Sequence, residues 1–187
     1  SEKVKWFPRI RWGAILDVPD NNGDTLSQTP IVGMALELRN KNSIEIDRLR
    51  LKESLISGKI PELANEMLMG NKLAETLGVV LGQTVTLMGQ SFDGGLVTDN
   101  YRVVGLVKFG VSAMDKKMAL IDISDAQNSF YMEDMITDWL GFLSPQYSLN
   151  EYEKIKMEMQ EPLSRWRESP PKSWAKDDHP ILLSIRD

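Results

Sequence analysis

From Trp6 to Val18, apolar Phe7, Ile10, Trp12, Ile15 and Leu16 are set among Arg9, Arg11 and Asp17. This partial period of two predicts an extended strand, interrupted at Gly13. The cluster Pro19-Asp20-Asn21-Asn22-Gly23-Asp24 reads as a turn, because each residue type either presets or tolerates turn dihedrals. Ile31, Val32, Met34 and Leu36 then mark a returning strand over Pro30–Leu38, so residues 10–38 are expected to form a hairpin. From Asn40 to Leu55 the apolar positions Ile44, Ile46, Leu49, Leu51 and Leu55 fit neither period. Ser43 and Asp47 favour a short helix there, broken by Ser57-Gly58.

The pattern sharpens after Glu66. A short apolar strand ends at Gly70, and Asn71 is placed as the N-cap of a helix over Lys72–Leu77. Leu73, Ala74 and Leu77 form its apolar face and Gly78 stops it. Val85 and Leu87 alternate with Thr84 and Thr86 in a strand over Gln83–Met88. A loop at Gln90–Gly95 leads to a second strand over Asn100–Phe109, making 83–109 a long hairpin. Lys117–Asp122 reads as a strand, Ser124 as the cap of a helix over Asp125–Met132, and Thr137–Leu143 as a further strand. Asn150–Trp166 carries a helical face of Tyr152, Ile155, Met159 and Leu163 with Pro162 near its end, and Ile181–Ile185 is a terminal apolar segment.

Composition narrows the chemistry. The chain has 187 residues, 42% hydrophobic and 26% charged, which suits one domain or two small subdomains with an ordinary core. A net charge of -5 with scattered Lys and Arg argues against a nucleic-acid partner. With no Cys and one His, thiolate and haem sites are set aside. His179 beside Asp177 and Asp178 lies in one extended stretch, where adjacent side chains cannot converge on one ion, so a solvated turn is the preferred reading and no metal is expected. No serine sits in a Gly-X-Ser-X-Gly elbow and no Gly-X4-Gly-Lys-Ser/Thr loop occurs, so neither a hydrolase nor the ATPase of a transporter is indicated, and no cofactor.

The glycines at 70, 78, 82 and 105 are read as turns and strand ends needing positive φ. Of the ten methionines, Met67, Met69, Met88, Met118 and Met159 sit in periodic apolar patterns and are read as core, with Met114, Met132 and Met135 as the exposed candidates. No apolar run approaches ~20 residues, so any membrane span is expected outside residues 1–187. The start at Ser1, without a signal pattern, fits an excised piece of a longer protein.

Five short motifs follow one another in order: Met67–Gly70, Leu73–Gly78, Gly82–Leu87, Tyr101–Gly105 and Ala119–Gln127. Together they resemble the extracytoplasmic core of the FtsX/MacB-type ABC transporter permeases, with Gln83 where that family usually has Asp. Pro8-Arg9-Ile10, Val32-Gly33-Met34 and Ser173-Trp174-Ala175-Lys176 are similar to stretches of the lipoprotein-releasing branch.

The resemblance implies an α+β, two-lobed periplasmic core. A β-rich sabre-like lobe (43–133) would be inserted in a porter-like α/β lobe formed by 1–42 and 134–187. It further implies a non-catalytic domain of an inner-membrane permease, located in the periplasm. Such a permease pairs with a like permease as a dimer and with a separate cytoplasmic ATPase subunit, and it acts on lipoprotein release or substrate export. Its periplasmic contacts would be a periplasmic or outer-membrane protein, or the lipoprotein substrate. The alternative is a free-standing periplasmic adaptor of similar fold. Met88–Asn100 is shorter than the corresponding loop of the carrier-recruiting permease and lacks its proline, so carrier docking by that route is expected to be absent or different. Phe92, Asp93, Gly94, Gly95 and Leu96 form the candidate partner-contact loop, with Phe92 and Leu96 as its apolar contacts.

Overall fold

The computed structural model describes residues 4–20, 22–41, 43–143, 150–151, 153–155, 157 and 182–184. It is an α+β fold that divides into two compact units, residues 1–9 with 136–187, and residues 10–135. Strand β1 (Val4–Pro19) contributes to both.

In the first unit, residues 4–9 of β1 pair antiparallel with β8 (Asp138–Leu143), which pairs in parallel with β9 (Leu182–Ser184). The Phe7 and Phe142 rings meet at 5.7 Å and 57°. Trp6 lies over Gly141, where a Cβ would come 2.7 Å from its ring. The strand expected at 137–143 is present as β8 and the terminal apolar segment contains β9, whereas most of the helix expected over 150–166, the Trp174 stretch and His179 lie outside the described residues.

In the second unit, β1 and β2 (Thr25–Leu36) form the expected hairpin, in register from Ile10↔Ala35 to Val18↔Ser27 and shifting before Pro19↔Thr25. The expected long hairpin is β5 (Thr84–Gln90) with β6 (Leu96–Val107). Strand β4 (Glu66–Gly70) runs parallel to β6 and antiparallel to β7 (Met118–Asp122), and β7 runs parallel to β2. Because β5 also pairs with β1 over Ala14–Asp17, the ladders close into a mixed ring β1-β2-β7-β4-β6-β5. Strand β3 (Leu55–Gly58) adds to β6.

Both faces of β4 are covered, which is why Met67, Leu68 and Met69 are apolar in succession rather than alternating with polar residues. Met67 and Ile121 pair across the ladder with both side chains fully buried, as do Leu68 and Leu120 on the next rung. The second pair joins Leu36, Leu38, Leu51 and Val107 in one cluster, with Ile46 and Leu55 packed against it. Each such leucine contributes about 1.5–3 kcal/mol by leaving water.

The segment expected as one short helix at 40–55 is two, α1 (Glu45–Arg48) and α2 (Leu51–Ser54). They are split at Arg50, whose φ of 48° is left-handed and cannot propagate a helix. Helices α3 (Asn71–Leu77), α4 (Ser112–Lys117) and α5 (Ile123–Ser129) follow β4, precede β7 and follow β7.

Two caps fall earlier than the sequence suggests. Gly70, not Asn71, is the N-cap of α3, because β4 stays extended through Gly70 (ψ 133°) and turns at once into the helix. Asn71 instead donates its side-chain amide to Glu75 at 2.6 Å, and Gly78 ends the helix at φ 70° as expected. Likewise α5 is capped by Asp122, whose carboxylate accepts the Ser124 amide at 3.0 Å, rather than by Ser124.

Of the four glycines read as positive-φ positions, Gly78 and Gly82 are so. Gly70 and Gly105 are needed for close approach: a Cβ would lie 2.5 Å from the carbonyl oxygens of Asp115 and Lys59, respectively. Met132, expected to be exposed, is buried, because its amide returns to the Gln127 carbonyl at 2.8 Å and folds the residue back against α5. Met67 and Met69 are core residues as read.

Candidate functional site

The candidate contact loop is the tip of the β5–β6 hairpin. Ser91 and Gly95 close it through a 2.8 Å amide-to-carbonyl bond, the Gly94 amide donates to Ser91 O at 3.0 Å, and Gly94 takes the φ of 91° that this turn requires. The Ser91 hydroxyl faces the Asp93 carboxylate, and with the Gly95 amide it holds that carboxyl below the usual carboxylate range. The result is a small, internally bonded tip rather than an open loop. On it Leu96 is 95% exposed and Phe92 39% exposed. At 95% exposure the Leu96 side chain contributes little to the core of its own chain.

The tip is fastened from below. The Phe92 amide donates to the Phe130 carbonyl at 2.9 Å, just past α5. The Phe130 ring lies against Gly89, where a Cβ would come 2.9 Å from it, and stacks at 5.6 Å on Trp12.

Next to this lies a polar chain that no sequence motif signals. Arg39 donates through Nη2 to Asp122 at 3.2 Å and Asp125 at 2.9 Å, and its backbone amide donates to Asp122 at 2.8 Å. Asn65, at φ 56°, donates its backbone amide to Asp125 and its side-chain amide to Asp99, both at 3.1 Å. Ser129 Oγ donates to Asp99 at 2.5 Å. Since a carboxylate only accepts and a serine has one hydroxyl hydrogen, Tyr101 must be the donor in its 2.7 Å bond to Ser129. Burial pushes the Asp125 carboxyl up against the lowering effect of Arg39 and the Asn65 amide, and burial also pushes the Tyr101 phenol up. The one hint in the sequence is the placing of acids at 122 and 125, directly after an apolar run.

A second carboxylate organises the loop before β4. Glu66, 1% exposed, accepts the amides of Glu62 (2.7 Å) and Leu63 (2.9 Å) and the Arg102 guanidinium (2.6 Å). Burial works against its charge. These bonds and the nearby Lys59 outweigh it and hold the carboxyl below its ordinary value.

A surface cleft of about 220 Å³ is lined by Ile56, Asn71, Lys72, Glu75, Lys108 and Asp115. Its acids are occupied: Glu75 accepts from Asn71 and Asp115 accepts the Phe109 amide at 2.6 Å. Among the described residues, no group of three or more His, Cys, Asp or Glu could hold a metal ion. Among the same residues, no helix is long and apolar enough to cross a membrane.

No family model matches the chain. It is 28% identical over 136 residues to the lipoprotein-releasing system transmembrane protein LolC of Neisseria meningitidis serogroup B, covering 62% of this chain and 33% of that protein. The chain thus spans about a third of the length of the curated relative it matches, and its similarity is to a transmembrane protein of a lipoprotein-releasing system.

Proposed function

We propose that this chain is the extracytoplasmic, non-catalytic domain of an FtsX/MacB-type ABC transporter permease, nearest the lipoprotein-releasing branch. In this reading it converts movements driven by a cytoplasmic ATPase into work on a lipoprotein or exported substrate in the periplasm. The observation that carries the reading is the likeness to the Neisseria lipoprotein-releasing protein. The ordered motifs from Met67 to Gln127 agree with it.

The sabre-like lobe, 43–133, carries the β5–β6 hairpin and its exposed Phe92 and Leu96, which offer a partner an apolar foothold. The polar side chains described here are occupied in holding loops and strand ends, which suits a part that transmits force rather than one that turns over substrate. The permease would work as a dimer with a like subunit.

The test begins with the parent protein. Reporter fusions should place this domain outside the cytoplasm, with one span before it and three after it, and excising the domain should leave lipoproteins at the inner membrane. A parent without flanking spans overturns the permease reading in favour of a free-standing periplasmic adaptor.

A further inference from the structure

We propose that Ser129 and Asp99 are positioning residues for the hairpin tip, and that α5 is a strut tying the exit of β2 to that tip. The functional weight of this rests on the reading of the tip as a partner contact.

Both ends of α5 are anchored, and to different parts of the chain. At its N-terminal end Arg39, three residues beyond β2, grips Asp122 with backbone and side chain and Asp125 with its side chain. At its C-terminal end the grip on the hairpin has three levels. The Phe130 ring covers Gly89 on β5, the Phe130 carbonyl takes the Phe92 amide at the tip, and Ser129 takes Asp99 and Tyr101 on β6. Asn65 cross-links the two ends by donating to both Asp125 and Asp99.

A helix of seven residues spans about 10 Å at 1.5 Å per residue. It is short enough to behave as one rigid piece between its anchors. The hairpin is also laddered to β1 through β5 and to β4 through β6, and at the tip itself it is fixed to a helix that is in turn fixed to the exit of β2. Any shift of Arg39 is therefore carried to Leu96 by bonded groups rather than through solvent. A hydrogen-bonded chain by itself is no proof of coupling, so the test reads position and not stability.

The chain has no cysteine, so spin labels at Leu96→Cys and Lys72→Cys report the tip against α3 in the 187-residue chain. Ser129→Ala and Asp99→Ala should each broaden the 96–72 distance distribution and speed amide exchange at Phe92 about fivefold. The double variant should do less than the sum of the two, because they share the Ser129–Asp99 bond, and Arg39→Lys should broaden the same distribution from the far end. Labels at Lys52→Cys and Lys72→Cys, away from the tip, should keep their distance throughout.

An unchanged 96–72 distribution, or equal broadening of both label pairs, overturns the proposal. If Ser129→Ala or Asp99→Ala does not fold, Tyr101→Phe removes a bond to Ser129 with its ring retained, and the same readings decide. These measurements do not depend on the parent's topology, so the strut and the permease reading fail separately.

Discussion

Trp12 lies flat across Gly33 of the neighbouring strand, so close that a Cβ at position 33 would sit 1.9 Å from Cε2 of the indole. The same ring stacks on Phe130 and thereby reaches the support of the hairpin tip. Gly33→Ala should cost about 3 kcal/mol, because a packed ring inside a closed strand ring has nowhere to retreat. Urea unfolding followed by tryptophan fluorescence measures this. A midpoint equal to that of the native protein would mean that the indole is not seated there.

Arg39 neutralises two carboxylates that are nearly inaccessible, at Asp122 and Asp125. Arg39→Met should destabilise by about 3–5 kcal/mol at neutral pH, since both charges stay buried without their cation. Burial already raises the Asp125 carboxyl in the folded state, and removing Arg39 raises it further. A carboxyl raised on folding favours the fold below its unfolded value, and that contribution is lost as pH rises through the folded value. The gap between variant and native protein should therefore narrow on acidification. A gap that stays constant from neutral to acid pH contradicts the pairing.

Glu66 behaves in the opposite sense. Its folded carboxyl lies below the ordinary value of 4.5, so its contribution is present above 4.5 and is lost as pH falls through the folded value. Glu66→Gln should cost about 1–2 kcal/mol at pH 7 and flatten the acid limb of the stability curve. Thermal unfolding across acidic pH reads both effects. An acid limb of unchanged slope would show that Glu66 does not drive it.

Asp17 is 8% exposed, and its Oδ1 has no hydrogen-bond partner among the described residues. It sits near the end of β1, opposite Gln28 on one side and Thr86 on the other. Asp17→Val removes the orphaned oxygen and supplies a β-branched residue to the strand, so it should stabilise by about 1 kcal/mol. Loss of stability in denaturant titrations would instead reveal a partner for that carboxylate.

Much of the fold was legible locally. The two hairpins follow from alternation at Ile10–Val18 and at Thr84–Leu87 with turn-forming residues between the strands, and both are antiparallel neighbours in sequence. The α3 helix was legible through Leu73, Ala74 and Leu77 and its stop at Gly78. The tip residues Phe92 and Leu96 were legible as apolar side chains beside Gly94-Gly95, and the structure exposes both. The caps were misplaced by one or two residues because Asn71 and Ser124 have the right side chains. The backbone instead bends at Gly70 and Asp122, where the strands end.

The sequence by itself determined the two hairpins, the strands around β4 and β7 and the helices α3 and α5, because those choices rest on side-chain period and on backbone sterics within a few residues. Strand β3, where Ser57-Gly58 reads as a break, and α4 were not legible in it. Only the tertiary structure decided that the strands close on themselves. The parallel pairings β2–β7 and β4–β6 join segments 36 to 86 positions apart, as at Glu66↔Arg102 and Val32↔Met118, and no local period encodes a partner at that separation. The same holds for the polar chain. Arg39, Asn65, Asp99 and Asp125 are ordinary surface types in sequence, and become a connected support only when the fold buries Asp125 and brings the partly exposed Arg39, Asn65 and Asp99 to it as a bonded chain.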